Sequence, residues 1–110
     1  MKIAIVNCLK ANRVCAGAAC LNAMNRRIKS FSDYEGQDIV LDAFMRCNGC
    51  GHTVETDVGM QEKLERIISL QPETVHFGKC TFEGGQLCDS LQSFKSRLEE
   101  AGIKVVLGTH

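Results

Sequence analysis

Apolar residues along the chain fall into segments of two kinds, and the kinds alternate. Lys2 to Asn7 carries an unbroken β-branched and aliphatic run, the pattern of a strand covered on both faces. From Gly17 to Ser30 the apolar positions Cys20, Met24 and Ile28 are four apart and Phe31 closes the stretch, which predicts a helix with one buried stripe. Gly36 marks a turn within Asp33 to Asp38, and Ile39 to Met45 reads as a second strand. A loop of small and polar residues runs from Cys50 to Gly59. Met60, Leu64, Ile67 and Ile68 then mark a second helical face, with Asp57 placed to cap it and Pro72 just past its end. Thr74 to Phe77 is a short third strand. After a glycine-bearing loop, Asp89 and Gln92 have the spacing of a capping box ahead of the stripe Leu91, Phe94, Leu98 and Ala101, which ends at Gly102. Ile103 to Leu107 is the fourth strand, and Gly108-Thr109-His110 follows it.

Strands that alternate with helices need crossover connections, and crossovers produce a parallel sheet with helices on both faces. The expected architecture is α/β: a small flavodoxin-like sheet of four parallel strands in the order 2-1-3-4. At 110 residues the chain fits one domain, residues 1–110, with enough core to fold unaided.

Charge changes this picture only by exclusion. Thirteen basic and thirteen acidic residues cancel, so no overall field gathers nucleic acid or an anionic membrane, and the cluster Arg26, Arg27 and Lys29 reads as a solvated helix side. Neither nucleic acid nor membrane is expected as a partner. The N-terminal apolar run Ile3 to Val6 is too short for a membrane span and is not flanked like a signal peptide, which gives a cytoplasmic expectation.

Cysteine changes it more. Seven cysteines, an odd number in a chain without an export signal, point to reduced thiols rather than a disulfide framework. In a parallel sheet the carboxyl ends of the strands share one edge, where ligands bind beside the point of reversed winding. Cys8 follows the first strand, Cys47 and Cys50 the second, Cys80 the third and His110 the fourth, with Cys15, Cys20 and Cys88 in or near loops at that edge. The run Cys47-Asn48-Gly49-Cys50-Gly51 is a C-x-x-C turn, and its glycines allow backbone amides to turn toward the sulfurs. Soft thiolate donors favour zinc or an iron-sulfur centre over magnesium or calcium. Spacing alone leaves the ligand set open among Cys8, Cys15, Cys47, Cys50, Cys80, Cys88 and His110, with Cys47, Cys50 and Cys80 first in order and Cys8 next. Cys20 is expected to pack against the sheet, His52 to sit in a solvated loop, and His76 to be a hydrogen-bonded strand residue.

These motifs resemble a family. The ordered set of Cys8, Cys15-Ala16-Gly17-Ala18-Ala19-Cys20, Cys47-Asn48-Gly49-Cys50, His76-Phe77-Gly78-Lys79-Cys80, Cys88 and Gly108-Thr109-His110 is similar to the CGGC-domain proteins over nearly the whole length. The resemblance implies metal binding, commonly zinc, with no established reaction. Asn48 stands where the family name puts its first glycine, and asparagine's tolerance of the left-handed region is expected to preserve the turn. Asp89 stands after Cys88 where proline is expected in relatives. The alternative is a thiol-based redox enzyme, a disulfide reductase or an arsenate-type reductase. The second of these needs a Cys and an Arg with five residues between them, and Cys8 and Arg13 have four, Leu9 to Asn12.

Overall fold

The computed structural model describes residues 1–110. Four strands, β1 (Lys2–Asn7), β2 (Val40–Arg46), β3 (Thr74–Phe77) and, last in the chain, β6 (Lys104–Leu107), form one parallel sheet in the order β2-β1-β3-β6. The expected order 2-1-3-4 holds for the main sheet. The label of its last strand shifts because a two-stranded antiparallel hairpin, β4 (Phe82–Glu83) and β5 (Gln86–Leu87), intervenes. Its signal was the Gly84-Gly85 pair, whose φ values of +58° and +80° suit the tight primed turns that join antiparallel strands.

Helix α1 (Ala18–Arg26) covers one face of the sheet, and α2 (Val58–Leu70) and α3 (Asp89–Glu100) cover the other. Alternate residues of the central strand serve the two cores, as the pleat requires. Ile3 and Ile5 pack with Cys20, Ala23, Phe31 and Tyr34 on the α1 side. Ala4 and Val6 pack with Met60, Leu64, Phe77, Phe94 and Leu98 on the other. Complete burial of a Leu or Phe such as Leu98 or Phe94 contributes about 2 kcal/mol each relative to exposure.

Two helix boundaries differ from the expectation. α1 stops at Arg26 because Arg27 adopts a left-handed φ of +55°, and Ile28 N–H closes back on the Ala23 carbonyl at 3.0 Å. Ile28 therefore leaves the stripe of Cys20 and Met24 and is exposed, while Phe31 returns to the core from a 3-10 helix over Lys29–Tyr34. At α3, Cys88 occupies the N-cap position rather than Asp89, and Gln92 donates to Asp89 Oδ1 and to the Leu87 carbonyl without forming a capping box. Asp57 does cap α2, accepting from Gly59 N–H at 3.3 Å. The loop from Cys50 to Gly59 also has an apolar anchor that its polar composition hides, since Val54 is buried in the α2/α3 core.

Backbone pairing continues one residue past the strand ends. Cys47 N–H donates to the Asn7 carbonyl at 3.0 Å, Gly78 N–H to Val6 at 2.8 Å and Gly108 N–H to Phe77 at 2.7 Å. Gly78 sits at φ −57°, a conformation open to any residue, but a Cβ there would fall 1.9 Å from Asn7 Oδ1. Gly78→Ala is thus a steric change only, and should lower stability by about 1–3 kcal/mol. Gly36→Ala meets nothing within 4 Å and carries only the strain of φ +78°, about 1 kcal/mol. Urea denaturation followed by circular dichroism should place the midpoint of the Gly78 variant below that of the Gly36 variant.

Candidate functional site at the carboxyl edge

All seven cysteines are free thiols. The segment that follows β1, a 3-10 helix over Leu9–Arg13, runs between two of the other cysteine-bearing loops and donates to a sulfur on each. Cys8 N–H bonds Cys80 Sγ at 3.1 Å, and Leu9 N–H bonds Cys47 Sγ at 3.4 Å. Because these amides are neighbours along the chain, covalent geometry keeps the two sulfurs within about 10 Å of each other. Cys47 and Cys20 are buried, Cys8, Cys15 and Cys88 half-buried, and Cys50 and Cys80 exposed. Although Cys80 is exposed as a residue, partial desolvation of its thiol pushes it up from its ordinary value, more strongly than the Cys8 amide draws it down.

Lys10 adds a cation to this edge. The interaction with Cys50 first, then with Cys8 and Cys88, holds its ammonium above the usual lysine range. No sequence pattern pointed to Lys10, since its role comes from a loop that folds beside the C-x-x-C turn.

The turn itself is held from two sides. Gly49 and Gly51 take φ values of +107° and +85°, which glycine alone adopts cheaply. Gly51 N–H donates to Ser90 Oγ at 3.1 Å and Ser90 Oγ donates to the Gly49 carbonyl at 3.3 Å, fastening the turn to the start of α3. Asn48 has no positive φ, so the expected left-handed tolerance is not what it supplies. Its side chain works instead as a bridge. Lys63 Nζ donates to Asn48 Oδ1 at 2.6 Å and to the Arg46 carbonyl at 2.7 Å, while Asn48 Nδ2 donates to Asp57 Oδ2 at 2.7 Å. The Asn48 bond is the main reason the Asp57 carboxyl is held below its ordinary range. His52 is exposed, as expected, with Nδ1 3.8 Å from Asp57.

On the other side of β1, Cys15, Cys20, Cys80 and His110 line a crevice of about 300 Å³ together with Asn7 and Lys79. Cys20 packs in the α1 core as expected, and its sulfur also lies 3.1 Å from Thr109 Oγ1. The Thr109 backbone is steadied by His76, the strand histidine. His76 Nδ1 lies 3.0 Å from the Gly108 carbonyl, which can only accept, so Nδ1 carries the proton and Nε2 accepts from Tyr34 OH at 2.8 Å. The ring stacks on Phe31 at 4.3 Å between centroids.

The structure therefore distributes the candidate ligands over two sides of one edge. Cys8, Cys47, Cys50 and Cys88 surround the Leu9–Arg13 segment and Lys10, Cys15 and His110 belong to the crevice, and Cys80 touches both groups. As placed, no three Cys, His, Asp or Glu side chains converge closely enough to hold one ion. Arg13 is exposed. No helix is long and apolar enough to cross a membrane.

Two tests follow from these contacts. Asn48→Ala leaves Lys63 and Asp57 without their bridge and should cost about 1–3 kcal/mol, with faster amide exchange at Gly49 and Gly51 than in the parent. Burial holds His76 neutral below its ordinary value, so the unfolded chain binds more protons and stability rises with pH across that interval. The thermal midpoint should be steady above about pH 6.5 and fall as the pH descends below it, and His76→Gln should remove that fall.

The family model for the CGGC domain matches residues 2–110, and no curated protein and no solved structure matches the chain. The chain belongs to the CGGC-domain family.

Proposed function

We propose that this CGGC domain binds a soft metal at its carboxyl edge, zinc in the first place and an iron-sulfur cluster as the alternative, through Cys47, Cys50 and Cys80 with Cys8 or Cys88 completing the set. The observation that carries this reading is the pair of adjacent amides, Cys8 and Leu9, that already hold Cys80 and Cys47 sulfurs on either side of one short segment. The donor set fits such a group in kind: free thiols from three loops, with backbone donors directed at sulfur. Bound there, the metal supplies a cross-link between loops that are otherwise joined only through the Leu9–Arg13 segment. Binding draws the C-x-x-C turn and the Gly78–Cys88 loop together, so its free energy adds to folding. Lys10 lies where it offsets the negative charge of several thiolates.

One observation favours a second reading, thiol–disulfide exchange. Cys50 is exposed, lies beside Lys10 and has a second thiol, Cys47, three positions before it in the same turn. Cys50 would attack a substrate disulfide and release one thiol, and Cys47 would then displace the second, leaving a Cys47–Cys50 disulfide and two substrate thiols.

Anaerobic purification followed by elemental analysis separates the two. Under the metal reading the parent carries about one zinc or one cluster per chain, Cys47→Ser and Cys50→Ser lose it, and Cys20→Ser keeps it while losing stability of order 1 kcal/mol. Because binding releases the Cys80 proton, zinc affinity should rise as the pH is raised through the neutral range. Metal-free parent protein whose Cys50 is alkylated faster than its other thiols supports exchange and sinks the metal reading.

A further inference from the structure

The crevice on the α1 side offers Cys15, Cys20 and Asn7, which the zinc reading leaves unused, and shares Cys80 with it. Its volume of about 300 Å³ suits a small molecule, and three thiols face it from three elements: Cys15 before α1, Cys20 in the first turn of α1, and Cys80 after β3. The Ala11 and Ala19 methyls complete a largely apolar wall. Asn7 lines it too, is 1% exposed, and has no side-chain partner other than the Cys20 sulfur at 3.9 Å. A buried amide with so weak a partner retains hydrogen-bonding capacity directed at whatever enters. The place is also the one where ligands gather in open α/β sheets, because the connection after β1 leaves on the α1 face and that after β3 on the opposite face.

We infer that this crevice captures a neutral trivalent thiophile of the arsenous acid class through Cys15, Cys20 and Cys80. Charge decides between ligand classes. A divalent cation would need thiolates in a largely apolar wall that Lys79, itself a cation, also lines. Arsenous acid enters uncharged near neutral pH. Each of its three hydroxyls leaves with one thiol proton as water, three arsenic–sulfur bonds replace three arsenic–oxygen bonds, and the oxidation state does not change. The product is uncharged, so no ion is left in the crevice. Asn7 can hydrogen-bond a hydroxyl before it departs. The three sulfurs do not converge on one point before capture. Cys15 lies in the irregular segment between the Leu9–Arg13 helix and α1, where its sulfur accepts from Gly17 N–H at 3.3 Å, a bond that capture exchanges for one to arsenic.

The test uses the reduced full chain and sodium arsenite, read by native mass spectrometry and arsenic K-edge absorption. One arsenic per chain with three sulfur neighbours is expected. Cys15→Ser and Cys80→Ser should weaken binding at least tenfold and replace a sulfur neighbour by oxygen, and neither side chain lies in the buried core. Cys20→Ala, with folding checked by circular dichroism, should do the same. The double variant Cys47→Ser/Cys50→Ser should bind arsenite like the parent. If that double variant loses arsenic while Cys15→Ser keeps it, or if the parent shows only two sulfur neighbours, the crevice is not the site. Zinc content of Cys15→Ser, measured separately, reports on the metal reading alone, so either idea can fail without the other.

Discussion

The register of the parallel ladder past the strand ends is the constraint on which the cysteine edge depends. Hydrogen bonds from Cys47, Gly78 and Gly108 continue the pairing of β2, β3 and β6 by one more residue. Each of these residues begins a loop that carries site chemistry: the C-x-x-C turn, the Cys80 loop, and Thr109. A slip of one residue in any strand would turn its core side chains to the opposite face, so packing of the two cores fixes the register and the register fixes the loops. The contact of Gly78 with the Asn7 amide lies at the middle of this arrangement and admits no side chain.

From that register follows the division of the thiols. β1 ends between two cores, and the chain leaves it as a 3-10 helix whose amides face Cys47 on one side and Cys80 on the other. Thiols on the α2/α3 side have a cation and an exposed partner; those on the α1 side have an apolar crevice, a buried amide and a hydroxyl. The same residue type is thus placed in two dielectric settings a few ångströms apart. A lysine beside the first group offsets negative charge and an apolar wall around the second penalises any ion, so the two sides suit ligands of different charge.

Much of this was legible in the sequence because it rests on period. Lys2–Asn7 and Thr74–Phe77 are found as read, since short runs of β-branched, aliphatic and aromatic residues bounded by turn residues have few other solutions. The gathering of cysteines at one edge followed from topology alone. What was not legible rests on side chains that meet across long separations. The Lys10 contact with Cys50, the Ser90 clasp on the turn and the Thr109 contact with Cys20 leave no local pattern. Ile28 kept the four-residue spacing, yet a left-handed Arg27 took it off the helix, and spacing cannot register a cap made by backbone closure.

Asn48 shows how a departure from the family pattern can be absorbed by its surroundings. A glycine at this position would contribute backbone freedom, but φ at 48 is not positive and that freedom is not needed. The asparagine contributes an amide between a lysine and a carboxylate, whose opposite charges polarise it and strengthen both hydrogen bonds. The bridge needs room: a Cβ on residue 59 would lie 2.7 Å from Asn48 Nδ2, so Gly59 is the complement of Asn48 across the start of α2. Asp57 joins the two, capping α2 through Gly59 N–H with one oxygen and holding Asn48 with the other. The C-x-x-C turn is therefore anchored to the N-terminus of α2 by Asn48 and to that of α3 by Ser90. Its two sulfurs sit on a platform set by both helices rather than by the turn's own glycines, and ligand-driven closure must move that platform against both anchors.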